Sequence, residues 1–222
     1  MIAGVEYIQY QQIARTCLSP LFKDLVYLPQ TGMSLDFHSL MILVNDVVIN
    51  KRMSVLEFGS GISTIILANL IRTHKLQTKL WSVESDLGWQ NAVKEWLAMS
   101  DLQDCVNLIH APLEQIPDED DFTVPWYKMS VLEETFADKQ IDMVIVDGPP
   151  AFNAAIQYSR YPALFFILGK TAPAYSLFLH DTNRDGEKTV LFNWEEELKR
   201  KSQQFTQKLS GFLVGKSYNI HF

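Results

Sequence analysis

The segment Val55 to Thr64, VLEFGSGIST, constrains the fold more than any other stretch of the chain. It continues an apolar strand read over Ser54 to Phe58. Two glycines separated by one serine then force a sharp turn, and Ile62 to Ile71 has the composition of a buried helix. A strand that passes through so short a turn into a helix cannot pair with its successor as a hairpin. It has to return through a crossover, which sets the next strand parallel to it.

The rest of the chain repeats this alternation. Phe37 to Asn50 reads as a helix leading in, with Ser34 or Asp36 as its cap. Leu80 to Val83 reads as a strand ending at Glu84, followed by a helix from about Asp86 to Met99 that puts Trp89, Val93, Trp96 and Leu97 on one face. Val106 to Ile109 is a third strand. Pro112 to Pro125, rich in Asp, Glu and Pro, reads as the longest loop, with no packed core element in it. Ile141 to Val146 is a strand buried on both faces, stopping at Asp147-Gly148-Pro149-Pro150. Asn153 to Leu168 supplies a helix interrupted by Pro162, Ser176 to Leu179 a strand ending at His180-Asp181, and Glu187 to Lys201 a charged helix. Phe205 to Leu209 and Phe212 to Tyr218, split around Ser210-Gly211, read as a closing antiparallel pair. The pattern predicts an α/β fold of three layers, a mainly parallel sheet covered on both faces.

Composition narrows the function. At 222 residues, 47% hydrophobic and 20% charged, the chain can bury one substantial core and has no disordered character. A net charge of −7 leaves little counterion-release drive toward a phosphate backbone, so nucleic acid is not an expected partner. Lys199, Arg200 and Lys201, the densest basic run, read as a solvated helix end. Cys17 and Cys105 have no metal-type spacing, and neither a zinc site nor a disulfide framework follows. There is no leader-like N-terminus and no long apolar run, so the expectation is a cytoplasmic protein without a membrane partner.

In an open parallel sheet the ligand sits beyond the carboxyl ends of the strands, where strand order reverses. The polar residues expected there are Glu57 with Gly59 and Gly61, then Glu84, His110, Asp147, and His180 with Asp181. The glycine spacing is that of a nucleotide-type site, but Thr64 stands at the third glycine position and an acid precedes the first glycine. That suits a cationic ligand better than a pyrophosphate. Glu57 can face an ammonium, while the N–H groups of Ile62 to Thr64 and the Ser63 and Thr64 hydroxyls can receive a carboxylate. Glu84, about 20 residues beyond Gly61, suits two ribose hydroxyls.

VLEFGSGIST, WSVESD and DMVIVDGPP, in this order, resemble the successive motifs of the class I S-adenosylmethionine (SAM) dependent methyltransferases, from roughly Ser34 to the C-terminus. The resemblance implies a Rossmann-like seven-stranded sheet with an antiparallel last strand. It divides the chain into an N-terminal helical extension, residues 1–35, and a methyltransferase domain, residues 36–222. It implies SAM as cofactor, with Glu57, Gly59, Gly61, Ser63 and Thr64 around the methionine part, Glu84 on the ribose, Ser85, Ala111 and Pro112 near the adenine, and Asp147 beside the methyl donor.

A small hydroxylated or sugar-like acceptor is expected, with Asp147 as base, Asp181 second, and His180 also in reach. The chain is also similar to the catechol-type O-methyltransferases, which would place a divalent metal on Asp147 and Asp181. They carry Asn directly after the second acid, whereas Thr182 intervenes here before Asn183, and no metal is assigned. Gly148 breaks the Asp-Pro-Pro-aromatic pattern of amine methyltransferases. Arg160 and Arg184 could meet an anionic acceptor or form surface ion pairs, and Trp126 with Tyr127 could wall an acceptor pocket or pack onto the domain. A nicotinamide oxidoreductase lacks its Tyr-x-x-x-Lys pair, and a non-catalytic SAM or nucleotide-binding protein is the alternative from another class.

Overall fold

The computed structural model describes residues 2–117 and 123–221. The helices are α1 (Ile2–Phe22), α2 (Phe37–Ile49), α3 (Ile62–Thr73), α4 (Leu87–Met99), α5 (Met129–Phe136), α6 (Pro162–Ile167) and α7 (Asp185–Leu198). The strands are β1 (Ser54–Phe58), β2 (Lys79–Glu84), β3 (Asn107–His110), β4 (Leu113–Pro117), β5 (Thr123–Tyr127), β6 (Ile141–Val146), β7 (Thr171–Leu179), β8 (Gln203–Gln204) and β9 (Ser210–Val214). Seven of them form one sheet in the order β3-β2-β1-β6-β7-β9-β8. The five from β3 to β7 along that order run parallel, and β9 runs antiparallel to both its neighbours. The chain therefore builds outward from β1 to β3, then returns to the other side of β1, so strand order reverses between β1 and β6. A cleft is expected above that point.

Alternation along the strands sends side chains into two cores. Val55, Met143, Ile145 and Phe178 meet apolar residues of α1 to α4, while Leu56, Phe58, Val144, Val146 and Leu177 meet those of α5 to α7. Each fully buried apolar side chain contributes roughly 1.5–3 kcal/mol against solvent exposure. Glu57 falls on the Val55 face by the same period-two rule, which carries a carboxylate into the layer beneath α3. Asp36 caps α2 by accepting from the Ser39 N–H, and Asp86 caps α4 by accepting from the Trp89 N–H. Among the described residues no helix is long and apolar enough to cross a membrane.

Several elements differ from the sequence expectation. Pro112 to Pro125 is not an unstructured loop: β4 and β5 pair antiparallel, with Ile116 opposite Val124 and Glu114 opposite Trp126. Residues 118–122 of that stretch lie outside the described residues. Its prolines and acids conceal a short apolar register, and Trp126 and Tyr127 are both fully buried. Asn153 to Leu168 is helical only from Pro162, which opens α6 at its first turn, where its missing N–H is not needed. The expected break at Ser210-Gly211 lies inside β9, where a side chain at Gly211 would collide with the Leu177 carbonyl. On α4 the buried residues are Gln90, Val93 and Leu97, and Trp89 is 40% exposed.

Within the N-terminal stretch α1 is helical and packs against α2 and α3, whereas residues 23–36 are not helical. Ala14, Leu18 and Leu21 of α1 are buried in the same cluster as α2 and α3. The Asn69 amide donates to the Leu21 carbonyl (2.8 Å), and the Gln11 amide donates to Asp36 (2.6 Å).

Candidate active site

A cleft of about 400 Å³ opens above the β1/β6 reversal, lined by Gly59, Gly61, Ser63 and Glu84 on one side and by Asp147, Gly148 and Asp181 on the other. The turn after β1 is built by two close approaches. Gly59 sits at φ +92, in the left-handed region, and a Cβ there would lie 2.8 Å from the Gly148 nitrogen. Gly61 is extended, and a Cβ on it would meet nothing within 4 Å. The backbone alone does not require glycine there. The open space belongs to the cleft.

Thr64, at the third glycine position, closes the turn from Gly61 into α3. Its hydroxyl accepts from the Gly61 N–H (2.9 Å) and donates to Glu57 Oε2, to which Ser82 also donates (2.7 Å). Thr64 is fully buried, so its hydroxyl serves the turn and is not presented to the cleft, whereas Ser63 lines it. Glu57 is also fully buried, and its Oε1 has no hydrogen-bond partner. Burial pushes the Glu57 carboxyl up to about 7, against the pull of the Ser63, Thr64 and Ser82 hydroxyls. Glu57 therefore lies beneath the glycine turn and does not itself line the cleft.

Glu84 is held in place by five bonds, one of them a longer one from the Ser85 hydroxyl to Oε1 (3.4 Å). Oε2 accepts from the Ser60 N–H (3.1 Å) and hydroxyl (3.0 Å), and Oε1 from the Ser85 (2.7 Å) and Asp86 (2.9 Å) N–H groups. Of these donors the Ser60 and Ser85 hydroxyls can rotate away to admit ligand hydroxyls, whereas the three N–H groups are fixed. Ser85, Ala111 and Pro112 follow the ends of β2 and β3 but do not line the cleft, and Ala111 is fully buried. The cleft wall on that side is formed by Trp89, whose indole N–H donates to the Ser60 carbonyl (2.8 Å), and by Trp96. Apolar spacing on α4 put both on one face with Val93 and Leu97, and nothing in the sequence marks them as cleft residues. Leu28, Pro29 and Leu35, ahead of α2, close the cleft from the N-terminal side.

Across the cleft the chain brings Asp147, His180 and Asp181 together. His180 Nδ1 lies 2.9 Å from Asp147 Oδ1, and Nε2 lies 3.7 Å from Asp36 Oδ2, beyond hydrogen-bond length. Burial opposes the imidazolium, but Asp147 foremost, then Asp36 and Asp181, outweigh it and raise His180 to about 9. Asp36 in turn is held well below the usual carboxylate range: the nearby His180, together with bonds from Gln11 and Ser39, overcomes its burial. Asp181 is the left-handed residue of the β7–α7 turn, at φ 61. Its carboxylate takes the Arg160 guanidinium (3.3 Å) and that of Arg184, and with His180 these cations outweigh burial and lower its pKa. Arg160 and Asp36 were not legible as parts of this cluster, because their partners are distant in sequence. Tyr127 lines the cleft and Trp126 does not; burial keeps the Tyr127 phenol protonated.

A sheet with this strand order, a glycine turn at its reversal and acids at four strand ends defines the class I SAM-dependent methyltransferases. A family model described as a methyltransferase domain matches residues 56–182, more than half of the chain. The chain belongs to that family. No curated protein matches it. Among solved structures it is similar to TomG, an O-methyltransferase of Streptomyces achromogenes involved in tomaymycin synthesis, in complex with SAM. There the identity is 12%, covering 95% of this chain and 99% of that one, at a TM-score of 0.60. An O-methyltransferase from Bacillus cereus in complex with SAH aligns at 12% identity over 93% and 91%, TM-score 0.59. A methyltransferase-like protein of Silicibacter pomeroyi aligns at 20% identity over 84% and 89%, TM-score 0.53.

Proposed function

We propose that the chain binds SAM in this cleft and methylates the hydroxyl oxygen of a small acceptor, with Asp147 as the base. The observation that carries the cofactor reading is the cleft at the β1/β6 reversal, lined by Gly61 with open space at its Cβ position, by Ser63 and by Glu84, with the Glu57 carboxyl beneath the turn. That combination suits a compact ligand head with an ammonium and a carboxylate, the second received by the Ile62 to Ser63 N–H groups at the start of α3. Glu84 would hold the ribose once the Ser60 and Ser85 hydroxyls turn aside. SAM would supply a methyl group on a sulfonium, which only needs an aligned nucleophile. The B. cereus protein with SAH and TomG with SAM support the same ligand here.

The contacts favour Asp147 over the other two groups as acceptor of the hydroxyl proton. Asp181 is committed to two guanidiniums, and His180, at about 9, already carries a proton at neutral pH. Asp147 also lines the cleft, and its two cationic neighbours, His180 and Arg160 Nη2 (3.5 Å), meet the same oxygen, Oδ1. A small acceptor is proposed because the cleft is modest in volume and one wall is formed by the two loops that follow β6 and β7.

The test combines calorimetric titration of SAM and SAH with transfer of labelled methyl from SAM to a panel of small phenols, sugars and aliphatic alcohols. Binding in the micromolar range and transfer to at least one class are expected. Asp147→Asn should retain SAM binding within about threefold and lose about 10²–10⁴ in kcat. No binding at millimolar SAM would reject the cofactor reading, and an Asp147→Asn enzyme of full activity would reject the base.

A further inference from the structure

The similarity to catechol-type enzymes would put a divalent cation on Asp147 and Asp181, and on distance alone the cluster allows one. One ligand atom from each of Asp147, His180 and Asp181 lies within 4.8 Å of the others. The surroundings do not fit a cation. Arg160 is 2% exposed, and its guanidinium is fixed from both strand ends. Nε donates to the Pro149 carbonyl (3.2 Å), Nη2 to the Asp147 carbonyl (2.7 Å), and Nη1 to the His180 carbonyl (3.0 Å) and Asp181 Oδ2 (3.3 Å). Asp147 Oδ1 is 3.5 Å from Nη2. Both acids thus already face the Arg160 guanidinium, which also meets Glu187 Oε1 (3.5 Å), and Asp181 takes Arg184 in addition.

We infer that Arg160 is the resident cation of this acid pair, standing where a divalent ion would stand, so that the chain takes no divalent metal there. A guanidinium does not lose its proton and cannot become a ligand. Three backbone carbonyls anchor it, so it cannot swing out to admit a metal without unravelling both loops. An ion beside it would face an unscreened like charge in a buried site. The third protein ligand expected after Asp181 is also missing: the next residue is Thr182, whose hydroxyl pairs with Ser210 (2.9 Å), and Asn183 is exposed. Arg160 is accordingly a positioning residue: it sets the separation of the loops after β6 and β7 through their carbonyls and holds the two carboxylates apart from each other.

The measurement is titration of Mn²⁺ into the full chain without SAM, read by loss of the free-ion electron paramagnetic resonance signal, alongside melting curves with Mg²⁺ and with EDTA. Wild type should take up no ion at about 1 mM, a weak-site concentration, and should melt identically in both. Arg160→Met, of similar length and apolar, should bind one Mn²⁺ at least tenfold more tightly and melt higher with Mg²⁺. Stoichiometric uptake by wild type that Asp181→Asn removes would overturn the inference. So would a folded Arg160→Met that stays inert, since the guanidinium would then not stand in the ion's place. Where Arg160→Met does not fold, the wild-type titration decides. The outcome is independent of the SAM titration, so a failure of either reading is visible separately.

Discussion

His180 is a buried imidazole surrounded by acids. Three carboxylates, Asp147, Asp36 and Asp181, act on one buried imidazole and raise it to about 9 from an ordinary 6.5. The folded chain therefore binds a proton more tightly than the unfolded chain does. The resulting stabilisation is fully present below pH 6.5 and is lost as pH rises through about 9. Its ceiling is roughly 3 kcal/mol, because one pKa unit corresponds to about 1.4 kcal/mol. Urea unfolding at intervals from pH 6 to 9.5 should show stability falling across that window. His180→Gln should lose roughly 1–3 kcal/mol at pH 6.5 and converge on wild type near pH 9.5. Parallel curves for the two proteins would rule out the charged imidazole. Glu57 acts with the same sign over a lower window: raised from 4.5 to about 7, it favours folding below 4.5 and loses that contribution as pH passes 7. The strand-end acids and His180 were legible in the sequence, since each sits where a parallel strand must stop. Their mutual charges were not, since Asp36 and Arg160 reach them only through the fold.

At the scale of elements, the loops after β1 and β6 are one structure. Gly59 and Gly148 pack backbone to backbone, and Tyr127 from β5 closes over them: a Cβ on Gly148 would fall against the Tyr127 hydroxyl and 2.8 Å from Gly59 Cα. Gly148→Ala should therefore lower stability by about 1–3 kcal/mol, as overpacking of a rigid contact does. Gly61→Ala should behave oppositely. A Cβ there meets nothing within 4 Å, so the midpoint of urea unfolding should hold, while SAM affinity drops at least tenfold. If Gly61→Ala loses stability and keeps affinity, the cleft has been assigned to the wrong side of the turn. This pair also explains which elements were readable. The β1 turn and β6 were plain because glycine spacing and unbroken apolar runs are local signals. The β4–β5 hairpin was not, because Glu114, Gln115, Pro117 and Pro125 dominate its composition while its burial comes from Trp126 and Tyr127 meeting Phe58. Trp89 and Trp96 had helical spacing, which fixes a shared face but not whether that face meets the core or a cleft.

On the scale of the molecule, the question is whether residues 1–35 are an appendage or part of the catalytic body. The division at residue 35 follows from the extent of the family resemblance, whereas packing joins the two parts. Leu18 is 2% exposed and Ala14 fully buried, in the cluster that also contains Ile65, Ile66 and Leu70 of α3, the helix that begins at the cleft. Gln11 reaches Asp36, and Asp36 faces His180, so α1 is linked to the acid cluster through two side chains. Leu28 and Leu35 carry the chain from α1 across the mouth of the cleft. Were α1 an independent extension, truncating one of its buried leucines would leave the domain's unfolding unchanged. We expect instead that Leu18→Ala costs about 2–4 kcal/mol, the usual range for a large-to-small change in a packed core. It should lower the urea midpoint of the whole chain in a single transition, with the slope preserved. Two transitions, with only a minor early one moved by the substitution, would show that α1 folds apart from the sheet. A single shifted transition means that the N-terminal wall of the cleft has the same stability as the core behind it. SAM titration of Leu18→Ala under folding conditions should then match wild type within about twofold, because the substitution weakens the fold as a whole and leaves the cleft contacts in place.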